Sequence, residues 1–173
     1  MAKQFNLREF QTNLSRQLQA AANRDTSTSR LGFRVGNDNW LVSLSDAEEV
    51  IPVPSIVPVP GAQPWFRGVA NIRGRLFAVS DFAHFMGMGA TPAHSNCRVL
   101  IPHHDFGVNA ALIVSSTLGL KNISQFAAQE QGATHSWVSR HYHDDTGTPW
   151  NDLDFGSLLG NANFMQVETQ LNS

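Results

Sequence analysis

Two short runs carry side chains able to do chemistry by type and spacing: His103-His104-Asp105, and His141 and His143 around Tyr142 with Asp144 and Asp145 following. Alternate residues of a strand share a face, so His141 and His143 can offer two imidazoles to one metal ion, with an aspartate completing the set. His103 and His104, in a predicted turn, present the same donor types. Such chemistry would suit a metal-dependent hydrolase, which is the enzyme alternative for this chain. Exposed histidine and aspartate at hairpin tips are the commoner meaning of the pattern, and that reading is adopted, with no catalytic residue and no metal assigned. The sequence holds no GxxxxGK[ST], GxSxG, HExxH or paired CxxC motif, which lowers the case for a nucleotide, serine or zinc enzyme. The single cysteine, Cys97, begins an apolar run. It reads as a small buried hydrophobe, excludes an internal disulfide and fits a reducing compartment.

The other chemical feature is Arg73-Gly74-Arg75, set inside the apolar stretch PWFRGVANIRGRLFAVSDF at 64–82. Gly74 marks the reversal between two strand-like runs, GVANIR and RLFAVSD, because glycine reaches backbone angles that tight turns need. Arginine has five donors in a rigid fork suited to capturing a carboxylate. Arg75 reads as a solvated turn residue, whereas Arg73 asks for a partner.

The elements that must position these groups are short strands. RLGFRV and WLVSL flank GNDN at 36–39, which has hairpin-loop chemistry. Prolines at 52, 54, 58 and 60 remove backbone donors, so AEEVIPVPSIVPVPGAQP is an edge segment or stiff connector and not a central strand. CRVLIP and VNAALIVSS form a hairpin about HHDFG, SQFAAQEQ a short helix, and SWVSRHYH with TPWNDLDF a further hairpin about DDTG. A short helix and loose tail close the chain. Ahead of all this, Leu7, Phe10, Leu14 and Leu18 make one apolar stripe of an amphipathic helix over residues 1–25, either a brace for the domain or a partner-binding element. GMGATPAHSN at 87–96 is the best internal boundary. Phe33, Trp40, Trp65, Phe66, Phe77, Phe82 and Phe85 read as core residues. The pattern is mainly β, in two small barrels.

Composition narrows the function. Over 173 residues the chain is 42 % hydrophobic and 15 % charged, a globular balance with no run long enough for a bilayer span. Nothing at the start reads as a signal peptide, so a cytoplasmic location is expected. A net charge of −2 argues against nucleic acid as a partner. Residues 1–75 hold 9 Lys+Arg against 6 Asp+Glu, and residues 76–173 hold 3 against 8. An asymmetry of this sign favours head-to-tail contact between similar modules.

FRVGNDNWLVSLSDAEEVIPV followed by WFRGVANIRGRLFAVSDF resembles the CheW-like domain of bacterial chemosensory adaptors. The features are the Gly-turn hairpin, the glutamate of AEEV, the run Gly68-Val69-x-Asn71-Ile72-Arg73-Gly74, and a strand ending in Asp81 before an apolar residue. PWFRGVANIRG with DFAHFMG is most like the PilI-type adaptors of type IV pilus twitching motility. The likeness is strong over 30–87 and looser over 97–160. It implies two five-stranded SH3-like barrels side by side, one over about 30–88 and one over about 96–160 with a tail to 173, and a hydrophobic groove between them. It also implies a non-catalytic, cofactor-free adaptor that links the cytoplasmic tip of a methyl-accepting chemoreceptor to a CheA-like histidine kinase. Such an adaptor is recruited to the inner face of the membrane by receptor arrays and associates with other CheW-like modules. Carried over by position, Glu49 and Arg73 are expected to pair and, with Gly68, Asn71 and Gly74, to serve coupling; Val99 falls near a receptor-binding position. Val114-Ser115 replaces the common Val-Asp, and Ala78 stands where proline is common. A scaffold of this fold without receptor binding is a further alternative.

Overall fold

The computed structural model describes residues 27–130, 132 and 134–169; the helix expected over residues 1–25 lies outside them. Strands β1 (Ser29–Val35) and β2 (Asp38–Ser43) form the first hairpin, and β3 (Ala47–Pro52) follows. Then come β4 (Phe66–Ile72), β5 (Arg75–Asp81), the short helix α1 (Phe82–Phe85), β6 (Arg98–Pro102) and β7 (Ala110–Val114). The chain continues through β8 (Ser116–Asn122), β9 (Ala127–Gln129), β10 (Val138–His143), β11 (Pro149–Leu153), α2 (Phe155–Leu159) and α3 (Ala162–Met165). The fold is mainly β, as expected. None of its described helices is long and apolar enough to cross a membrane.

The strands sort into a six-stranded sheet, β8-β1-β2-β11-β10-β9, and a five-stranded sheet, β3-β6-β7-β5-β4. The expected division into successive barrels over 30–88 and 96–160 is therefore corrected. The five-stranded sheet takes β3 to β7 from the middle of the chain, and the other sheet takes the strands on both sides of it. Two parallel pairings cause this: β5 with β7, across the presumed boundary at 87–96, and β11 with β2. Hairpin signals are local, whereas parallel pairing joins strands distant in sequence and leaves no turn to read.

Three cores result. Phe33, Trp40, Val42, Phe82, Leu100, Leu112 and Phe155 pack between the sheets. Ile72, Phe77, Val79, Val99, Ile101 and Ile113 fill the inside of the five-stranded sheet, and Leu41, Tyr142 and Trp150 the inside of the other. Strand β7 shows why: all five of its residues are buried, with Leu112 and Val114 in the inter-sheet core and Ala111 and Ile113 in the barrel. A strand covered on both faces must be apolar throughout.

Two local expectations also change. SQFAAQEQ is not an α-helix; a 3-10 turn over Ile123–Gln125 leads into β9, whose Ala128 pairs with Tyr142. The run VNAALIVSS splits at Ser115, after which β8 alternates half-buried and exposed residues along the edge of the six-stranded sheet. The Ser115 hydroxyl accepts from Gly36 N at 3.2 Å, so the residue that replaces the family's aspartate still makes a polar contact.

Candidate functional site

The β4–β5 hairpin is built on a two-residue turn. Ile72 faces Arg75 in register, and both central residues have positive φ, 52° at Arg73 and 81° at Gly74. That is the backbone of a turn whose twist matches paired strands, and it prefers Asn-Gly. Arg73 is the one described non-glycine residue with positive φ, a conformation costing an L-residue about 1–2 kcal/mol. The Asn71 side chain accepts from Gly74 N at 2.8 Å and closes the turn from beneath.

Arg73 does find a carboxylate. Its guanidinium donates to Glu49 Oε1 at 2.5 Å. Glu49 lies on β3 and Arg73 directly follows β4, the two edge strands of the five-stranded sheet, so the pair spans the seam that turns the sheet into a barrel. Val57 closes the same seam lower down, exchanging two 2.8 Å backbone hydrogen bonds with Val69. With Arg73 77 % exposed and Glu49 26 % exposed, the pair contributes only about 0–1 kcal/mol. The ion pair therefore does no more than offset the cost of the left-handed backbone at Arg73. Arg73→Asn is therefore expected to hold or raise the melting temperature, since relief of backbone strain offsets the lost pair. A drop of more than roughly 3 °C, near 1 kcal/mol for a chain of this size, would contradict that.

Gly68 sits where the Pro-rich segment crosses β4. Its φ is 129°, and a Cβ there would lie 2.0 Å from the Val57 carbonyl oxygen. One expectation needs correction. Val99 is fully buried inside the five-stranded barrel, so it cannot touch a partner and acts only through packing. Arg75 is exposed beside the turn, as expected, and it also donates to Asn109 Oδ1 at 2.8 Å and lies over the Phe77 ring at 5.3 Å.

An apolar groove of about 190 Å³ opens at the margin of the inter-sheet core, lined by Phe66, Ala78, Val108, Ala110, Phe164 and Met165 among others. Strand alternation puts Leu76 in one row with the lining residues Ala78 and Ser80; Leu76 is 62 % exposed and the lining Met165 47 %. Neither Glu49 nor Arg73 lines this groove. The structure thus brings Glu49, Asn71, Arg73 and Gly74 together at one barrel seam and leaves the groove to residues that the sequence pattern did not assign to a site. Asp81 was visible only as a strand-ending residue. It is wholly buried, caps α1 through His84 N, and accepts from both the amide and the hydroxyl of Thr91. The signal that could have found this role is an Asp standing just before a short apolar helix.

The histidines separate into two cases. His141 Nδ1 is engaged with Asn151 Oδ1 at 2.8 Å. Asp144 is consumed by its own turn, accepting from Thr146 N and Oγ1, Thr148 N and Trp150 Nε1. The Thr146 hydroxyl first, then the Trp150 indole, hold its carboxyl far below the usual range. Of the two aspartates that could complete a metal set with His141 and His143, Asp144 is thus committed to its own turn. His103, His104 and Asp105 do converge.

This double-sheet architecture, with an arginine-bearing turn latched to an edge strand, defines a known class. The CheW-like domain model matches residues 30–162, and the chain belongs to that family. It is 30 % identical to Protein PilI of Pseudomonas aeruginosa (strain PAO1) over 146 residues, 82 % of this chain and 80 % of that protein. Its fold is similar to that of the scaffolding protein TtCheW from Thermoanaerobacter tengcongensis, with a TM-score of 0.68 at 19 % identity over 81 % of this chain and 97 % of that one.

Proposed function

We propose that this chain is a non-catalytic cytoplasmic adaptor that couples a methyl-accepting chemoreceptor to a CheA-like histidine kinase, in a pathway controlling type IV pilus twitching motility. The observation that carries this reading is the 30 % identity to PilI over 82 % of the chain, because the match runs through the Glu49 and Arg73 region where the geometry is most specialised. The receptor tip is a helical hairpin, so docking follows the helix-in-groove mode, with apolar burial for affinity and polar rim groups for register. The groove lined by Met165, with Leu76 in row with its β5 residues, offers the first. Asn71, directly opposite Leu76 in the ladder, offers the second. The kinase contact is barrel against barrel, and such heterologous contacts extend into arrays that gather at the inner membrane face through the receptors.

The test is reconstitution of kinase activity with purified receptor fragment, kinase and adaptor. Glu49→Arg and Arg73→Glu singly are expected to lower receptor-dependent kinase control, and the double exchange to restore much of it. A double exchange no better than the singles removes the ion pair from the mechanism. Capture of kinase without receptor would favour a scaffold of the same fold, and capture of neither would overturn the adaptor reading.

A further inference from the structure

We propose that His103, His104 and Asp105 form a surface site for a divalent transition ion of the zinc class, with Glu48 as the residue that orients His104. The three side chains offer two imidazole nitrogens and a carboxylate whose donor atoms all lie within 4.8 Å of one another. His103 Nδ1 is 3.2 Å from Asp105 Oδ2, and His104 Nε2 is 3.5 Å from Asp105 Oδ1. Ligands at about 2.0–2.2 Å from a tetrahedral zinc ion stand about 3.3–3.6 Å apart; each imidazole already stands near that span from one Asp105 oxygen, and because the two oxygens differ one ion would take the carboxylate through both or draw one imidazole closer. The donor set suits zinc, nickel or copper and not calcium or magnesium, which prefer oxygen.

What distinguishes this cluster from two neighbouring surface histidines is its support. His104 Nδ1 lies 3.1 Å from Glu48 Oε2. A carboxylate on one ring nitrogen fixes the proton there and leaves the lone pair of Nε2 facing Asp105, the arrangement that orients metal-bound histidines. The same Glu48 oxygen accepts the His104 amide at 2.8 Å, so ring and backbone are held together. The turn is also pinned: His103 N donates to Asp46 O at 2.8 Å, and Gly107 N to His104 O at 2.9 Å. Phe106 packs on Phe155 with ring centroids 6.2 Å apart. His103, His104 and Asp105 remain 33 %, 59 % and 80 % exposed, so an ion reaches them from solution and water fills the remaining positions. The weak 3.3 Å contact from Asp105 N to His103 Nδ1 is what the ion would displace.

The location joins the site to the barrel seam. Glu48 and Glu49 are consecutive on edge strand β3, one holding the β6–β7 turn and the other the β4–β5 turn. An ion bound to His104 is thus linked through Glu48 to the same strand that Arg73 grips through Glu49, independently of whether the adaptor reading holds.

Titration of the tag-free chain with zinc chloride, followed by calorimetry, tests this. One ion per chain is expected. His103→Ala and His104→Ala should each weaken binding at least about tenfold, and Glu48→Ala by about 10–100-fold, as loss of an orienting carboxylate does. The double variant His141→Ala/His143→Ala should bind like the parent. Circular dichroism of each metal-free variant checks that it is folded, which the exposure of these groups favours. No binding by the parent chain, or binding abolished by the His141/His143 variant and retained without His103 and His104, overturns the site. Undiminished binding in Glu48→Ala overturns the built arrangement and reduces the cluster to chance neighbours.

Discussion

Replacing Gly68 by alanine is expected to lower the melting temperature by roughly 6–12 °C. The added Cβ would stand 2.0 Å from Val57 O, 2.7 Å from Val57 C and 2.9 Å from Pro58 Cα. All three are backbone atoms, so no side chain can swing aside. The φ of 129° lies in a region that only glycine occupies readily, which adds about 1–3 kcal/mol of strain. Relief requires the Val57 segment to lift off β4, and the two hydrogen bonds it exchanges with Val69 contribute about 1–3 kcal/mol together. The total, near 3 kcal/mol or more, converts to the stated shift at about 2–4 °C per kcal/mol for a chain of this size. Prolines 52, 54, 58 and 60 stiffen the segment and close off small adjustments. Hydrogen exchange at Val57 and Val69 should rise before that of the core. Gly74→Ala is the control: its φ is 81° but nothing lies within 4 Å of its Cβ, so only about 1 kcal/mol of strain applies. Equal shifts for the two variants would show that contact with Val57 is not what Gly68 serves.

How far the sequence discloses this arrangement depends on whether the relevant contact is local. The β1–β2, β4–β5, β6–β7 and β10–β11 hairpins are all legible from turn chemistry between apolar runs, and the Pro-rich stretch correctly excludes a central strand. Edge strand β3 ends at Pro52, where a missing donor costs least. The Glu49–Arg73 pair came from the family resemblance, since no spacing rule joins residues 24 apart on opposite edges of a sheet. Partition of the strands between sheets was misjudged because β5–β7 and β11–β2 pair in parallel across long connections. β8 escaped notice for a different reason: STLGLKN contains a glycine and a lysine and faces solvent along an edge, so its apolar signal is dilute. The resemblance alone puts Val99 near a receptor-binding position, and the apolar run Val99-Leu100-Ile101 that it opens gives no sign that Val99 points into the barrel. Asp81 was legible as a position but not as a network, because Thr91 lies ten residues on in a stretch that reads as mere loop.

Asp81→Ala is expected to destabilise the fold by about 2–5 kcal/mol, the sum of about 1–3 kcal/mol for an orphaned buried donor and about 0.5–2 kcal/mol for a lost helix cap. The carboxylate is fully buried. Its Oδ1 accepts from His84 N at 3.2 Å and the Thr91 hydroxyl at 2.7 Å, and its Oδ2 from Thr91 N at 2.8 Å. Arg67 approaches at 3.5 Å and is 43 % exposed, so little of the effect is charge pairing; most comes from orphaning the Thr91 amide, which is buried, and uncapping α1. Asparagine should rescue only in part. Whichever way its amide turns, the NH₂ meets a backbone N–H, of Thr91 or of His84, and one donor loses its acceptor. The loss has a local readout. The 88–96 segment that Asp81 anchors covers Cys97, which is 5 % exposed with its sulfur 3.2 Å from Pro92 O, and there is no second cysteine in the sequence. Under conditions where the variant remains folded by circular dichroism, Cys97 should react with a thiol reagent many times faster than in the parent chain. Equal labelling rates, with the melting temperature lowered, would mean that the loop keeps its seat without Asp81 and that the carboxylate stabilises the helix end alone.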